Sequence, residues 1–184
     1  MQDKAKLQRL CEAIDRISRP ALLAVFIGIY LVFPLLVLPL TAGDMTQLPL
    51  DLRFAYSPTE AYALLAFLGP QGRENYMLGA TVVDVAYAVS YTFMFSVWLT
   101  LLFRGRSRFS CAWSVAPIVV FVLDMIENTG IATMLAFYPR EIYGLAIATS
   151  IATTCKWLLA GPLILTTVGM SLWRGGQWLL SKGK

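Results

Sequence analysis

Long apolar runs alternate with short polar stretches along this chain, and the run lengths are those of membrane helices. Four runs, at residues 20–40, 76–103, 110–138 and 142–170, are long enough to cross a bilayer, which takes about 20 helical residues. A closed β-barrel would show shorter segments of alternating polarity, so each run predicts a helix. Two shorter stretches carry helical periodicity. Upstream of the first run, Leu7, Leu10, Ile14 and Ile17 recur at spacings of three and four among Lys, Arg, Gln and Asp, which predicts an amphipathic helix on the membrane surface. In the polar loop 41–75, SPTE at 57–60 has the form of a capping box, with Ser57 as N-cap and Glu60 three positions on. A helix over 58–68 comes next, stopped by Gly69-Pro70. The predicted fold is all-α: a single membrane domain built as a four-transmembrane-helix bundle, with a 104–109 loop and a 171–184 tail.

Composition agrees and narrows the class. Of the 184 residues, 58% are apolar and 14% charged, against about 45–50% and about 25% in soluble domains. Eleven of the fifteen basic residues fall on one side: Lys4, Lys6, Arg9, Arg16 and Arg19; Arg104, Arg106 and Arg108; Arg174, Lys182 and Lys184. Only Arg53, Arg73 and Arg140 fall on the other, and Lys156 lies inside a run. The positive-inside rule then predicts both termini in the cytoplasm. The polar first 19 residues argue against a cleaved signal peptide. The run DMIEN at 124–128 and the loop sequence YSPTEAYALLAFLGPQG look like features of small bacterial inner-membrane proteins, which gives the expected location.

Several chemistries are disfavoured. The chain has no histidine, so imidazole acid/base catalysis and His-ligated metal or haem are excluded. Cys11, Cys111 and Cys155 are far apart with no CxxC pair, which argues against a thiol–disulfide enzyme and against a disulfide framework. No P-loop, dinucleotide fingerprint or nucleophile elbow is present. No cofactor, metal or nucleic acid is expected. The expected partners are membrane lipids, with other membrane subunits or a homo-oligomer as further candidates. Most Trp and Tyr residues fall near run ends, as an interfacial belt, with Trp157 the exception. Pro34, Pro117 and Pro162 predict kinks.

Ionisable groups inside membrane helices are expensive and mark function or helix pairing. Here they are Asp84, Asp124, Glu127 and Lys156, with Asn128 beside them. Folding runs three and four about Pro139-Arg140-Glu141 sets residue i opposite residue 280 minus i. Asp124 then faces Lys156, predicting a structural ion pair. The same rule aligns a seam of small residues, Ala132 and Ala136 against Ala148 and Gly144. Asp84 and Glu127 fall in the same half of the membrane. They are the candidate acid/base pair, with Asn128 and Tyr87 orienting a substrate and Thr81, Thr133 and Thr153 as further hydrogen-bond partners. Three acids for one lysine exceed what pairing needs.

Three functions fit this surplus. The first is an acid/base enzyme or binding site for a lipid or isoprenoid, the chemistry being isomerisation, cyclisation or hydration. The second is an accessory or assembly subunit of a larger membrane complex, its polar seam serving helix pairing. The third is a small proton-linked carrier working as an oligomer.

Overall fold

The structure is a computed structural model that describes residues 2–37, 47–104 and 110–182. The end of the first run at 38–40, Arg106, Arg108 and Lys184 lie outside the described residues, as do the side chains of Lys4 and Leu7. In chain order the elements are α1 (Gln2–Ile17), α2 (Pro20–Val32) with a π-turn at Phe33–Val37, and a single 3₁₀ turn at Leu50–Leu52. Then come α3 (Pro58–Phe67), α4 (Gly69–Leu78), a π-turn at Gly79–Val83, α5 (Asp84–Phe103), α6 (Ser110–Phe137) and α7 (Tyr143–Lys182). Among the described residues, four helical stretches are long and apolar enough to span a membrane: Pro20–Val37, Gly69–Phe103, Cys111–Phe137 and Tyr143–Lys182. Two reach further than the apolar runs suggest. The second span begins at Gly69, inside the stretch read as loop, and the fourth continues to Lys182, through most of the stretch read as tail.

Local chemistry sets the boundaries. Ser57 Oγ accepts from the Glu60 amide at 3.3 Å, while the Glu60 carboxylate accepts from the Ser57 amide at 2.7 Å, closing the capping box on α3. Pro58 fills the first turn, where no amide donor is needed. Gly69 has φ +64°, a left-handed conformation that glycine adopts without steric penalty. It ends α3 and turns the chain straight into α4.

Packing runs in sequence order: α2 against α5, α5 against α6, and α6 against α7. One hydrophobic core lies at the end carrying α3, where Leu50, Leu64, Leu65, Ile131, Met134 and Ala146 meet. A second lies at the opposite, basic end around Leu99, Leu102, Phe103, Val120 and Leu163. Between them is a polar layer. The outward faces of the spans stay apolar and exposed, as at Val122, Ile126, Ile151, Leu158 and Leu165, a surface that suits lipid rather than water.

Two expectations are corrected here. The cysteine spacing argues against a disulfide framework, yet Cys11 and Cys111 are bonded, with Cα atoms 5.3 Å apart. α1 folds back onto α5 and α6, and a separation of 100 residues conceals that proximity. Arg104 reinforces the contact, pairing with the Asp15 carboxylate at 3.0 Å and donating to the Asp15 and Ser18 carbonyls at 2.8 Å. The small-residue seam is also displaced. Ala136, Gly144 and Ala148 are exposed, while Gly130, Ala146, Thr149 and Thr153 are buried. An α-helix turns once per 3.6 residues, so a spacing of four drifts by about 40° per step. Three steps from Lys156 carry the stripe about 120° off the contact face. The close approach falls instead at Gly130, where an added Cβ would collide with the Thr149 side chain.

Candidate functional site

The polar layer is organised around Lys156 of α7. Its ammonium lies 2.9 Å from Asp124 Oδ1, pairs with Glu127 Oε2, and donates to the Asp51 carbonyl at 3.3 Å. An ammonium has three N–H donors, and here three oxygens face it. Glu127 is fully buried, and its other oxygen accepts from Thr153 at 2.7 Å. Asp124 accepts a second bond, from the Tyr91 hydroxyl at 2.9 Å.

Asp84 starts α5 directly after the π-turn at Gly79–Val83. A π-turn inserts an extra residue and rotates the helix beyond it, and such bulges are frequent at functional sites. The Asp84 Oδ2 atom accepts from Asn128 Nδ2 at 2.6 Å. No partner for its Oδ1 is seen among the described residues. The Tyr87 hydroxyl donates to Tyr30 of α2 at 2.8 Å, over stacked rings 5.2 Å apart.

The loop before α3 enters this layer. Asp51, in the 3₁₀ turn, accepts at its carbonyl from Trp157 Nε1 at 3.2 Å as well as from Lys156. Its carboxylate accepts from Tyr76 at 3.1 Å. The same Tyr76 oxygen accepts from the Leu50 amide at 2.9 Å. Further along, Ser150 accepts from the Tyr56 amide at 3.0 Å and Thr154 donates to the Phe54 carbonyl at 3.0 Å. The segment is thus sewn onto α7 at four places. Enclosure by protein raises the Asp51 carboxyl above the ordinary aspartate range, opposed chiefly by Lys156. Burial likewise pushes the Tyr56 hydroxyl up to about 12.

A cavity of about 160 Å³ lies against these groups. At one end it is lined by Asp51, Asp84, Tyr87, Tyr91, Asp124 and Lys156; at the other by Phe95, Pro117, Val120, Ala160, Leu163 and Ile164. From Asp84 to Phe95 the lining advances about 16 Å along α5 at the helical rise, passing from carboxylates to hydrocarbon. Tyr30 of α2 and Ile164 of α7 both border it. Among the described residues α2 packs on α5 without comparable contact to α7, which leaves this wall without a helix–helix seal.

The candidate residues therefore divide. Asp84, Tyr87, Asp124 and Lys156 line the cavity; Glu127 and Asn128 do not. Asn128 faces a separate groove between the second and third spans, which also includes Thr81, Thr129 and Thr133. Those three hydroxyls donate to main-chain carbonyls one turn back. Asp51, Tyr91 and Trp157 belong to the site although charge spacing alone does not reveal them. For Asp51, a usable signal is the alternation Leu48, Leu50, Leu52 around it, unusual for a loop meant to face water. No group of three or more Cys, Asp or Glu among the described residues has the arrangement of a metal site.

Compared with family models, with curated proteins and with solved structures, the chain matches none.

Proposed function

We propose that this protein binds a single-chain amphiphile, a lipid or isoprenoid, within the membrane. Its head sits against Asp84 and Asp124 and its tail along Phe95, Val120 and Leu163. The observation that carries this reading is the segregation within one cavity, carboxylates at one end and hydrocarbon at the other. Pockets that combine an apolar body with a few convergent polar groups are the usual form of ligand sites. The volume suits a head group and its first carbons; the remainder of the chain leaves between Tyr30 and Ile164 into the bilayer. Asp84 is the group placed to exchange a proton with the head, because it keeps an unpartnered oxygen at the cavity. Tyr87 and Tyr91 orient the head. Glu127 serves as a counter-charge that fixes Lys156, and Asn128 holds Asp84. In this reading the basic end faces the cytoplasm, in a bacterial inner membrane.

The test is the lipid that stays with the protein. Chain purified in mild detergent is extracted and its lipids identified by mass spectrometry, in parallel with Ala160→Phe, which fills the apolar half. The expected result is one enriched amphiphile class in the native protein and its loss in the variant, with an unchanged melting temperature. Bulk lipid in both would overturn the reading.

An accessory-subunit role draws on a different feature. The last third of α7 carries Leu172, Leu179 and Leu180 exposed, beyond the two cores, a surface suited to a neighbouring membrane helix.

A further inference from the structure

The donors and acceptors around the cavity specify the head group. Resting on the binding role proposed above, we infer that the cavity takes an amphiphile whose head donates hydrogen bonds and carries no negative charge, an ammonium or a hydroxyl, and that Asp84 selects it against phosphate. Among the described residues, the one cation that lines the cavity is already enclosed. Lys156 points its three N–H bonds at Asp124, Glu127 and the Asp51 carbonyl, leaving none for an anion. The Tyr91 proton goes to Asp124 and the Trp157 N–H to Asp51. In the Tyr87–Tyr30 pair one proton is used between the two oxygens. Among the described side chains that line the cavity, a single neutral hydroxyl proton is what remains on the donor side.

The acceptor side is richer. Asp84 has an unpartnered Oδ1 among the described residues, and Asp51 and Asp124 line the same end. Four carboxylates, those of Asp51, Asp84, Asp124 and Glu127, surround the one ammonium. Like charges in a site shielded from water repel, so a phosphate head would add to an excess already present. An ammonium would balance it, and a hydroxyl would bond to Asp84 without adding charge. Charge-assisted bonds of this kind are also the strong ones.

Native mass spectrometry from a non-ionic detergent reads the selection directly, using dodecylammonium, dodecanol and dodecyl phosphate as probes. The native protein should retain one copy of the amine or the alcohol at an affinity at least about tenfold above that of the phosphate, the ratio one charge-assisted hydrogen bond is worth. In Asp84→Asn the preference for the amine should collapse, while Ala160→Phe should remove binding of all three. Dodecyl phosphate held as tightly as the others would overturn the head-group assignment and leave the cavity reading standing. Retention of no probe by the native protein, or retention indifferent to Ala160→Phe, would overturn both. The probe comparison in the native protein needs no variant, so a misfolded Asp84→Asn does not affect it.

Discussion

Lys156 is the residue on which the interior depends. Its ammonium faces two buried carboxylates and a carbonyl, and removing one partner of a buried charge set strands the others without solvent. Lys156→Met should therefore cost on the order of 3–5 kcal/mol, seen as a large fall in melting temperature or in yield of folded protein. Adding Glu127→Gln should recover part of that loss, because it removes one of the stranded charges. Gly130 makes a second prediction. A methyl there meets the side chain of Thr149, which is tied by its own bond to the Leu145 carbonyl at 2.8 Å. Gly130→Ala should cost about 1–3 kcal/mol through overpacking, and Thr149→Ala should relieve it in the double variant. At this scale the legible part was charge and register. Folding two apolar runs about a short turn sets Asp124 opposite Lys156, and the structure has them 2.9 Å apart. Asp51 was legible only in part: the alternation Leu48, Leu50, Leu52 sets its loop apart from one facing water, but nothing in the residue types says that its turn will be bonded to α7. The division between Asp84, which lines the cavity, and Glu127, which does not, depends on side-chain direction around α5 and α6 and lies beyond any count of charges.

Elements obey local rules more openly. SPTE begins α3 and Gly69 ends it, both by mechanisms visible in the residue types. Hydrogen bonds from the Ser57 amide and hydroxyl hold the Glu60 carboxyl below its ordinary range. A depressed acid stabilises the fold above its unfolded pKa and loses that contribution as pH falls through the folded value. Protection against amide exchange in the first turn of α3 should accordingly fall on acidification below the ordinary glutamate range, and Ser57→Ala, which removes one of the two bonds, should make that fall smaller. The disulfide belongs to this scale too. Intact mass under non-reducing conditions should show Cys11 and Cys111 joined, and Cys11→Ser should lower stability by about 2–4 kcal/mol. Its position at the basic end matters for sidedness, because disulfides persist chiefly in oxidising compartments while basic loops favour the cytoplasm. Labelling of a cysteine added at the basic end by an impermeant reagent, in intact cells and after permeabilisation, separates these two signals. Residue spacing and structure part where a helix is continuous in three dimensions but not in pattern. The second span runs through Pro70 from Gly69, and the seam of small residues drifts off the contact because four is not 3.6.

The whole molecule is a layered bundle, two hydrophobic cores with a polar stratum between them and an amphiphile-shaped cavity leading from that stratum into the second core. Four spans and an all-α fold were legible from run length and composition alone. The cavity was not, because it arises where α2 packs on α5 and leaves α7 open, a matter of tertiary arrangement. That opening is the centre of the account. A twelve-carbon alcohol bearing a diazirine near its tail, photoactivated in a bilayer with the protein, reports where the tail resides. Adducts should concentrate on the lining residues Val120, Leu163 and Ile164 and be abolished by Ala160→Phe. Adducts spread over the lipid-facing Val122, Ile126, Ile151 and Leu158, unchanged in that variant, would contradict it.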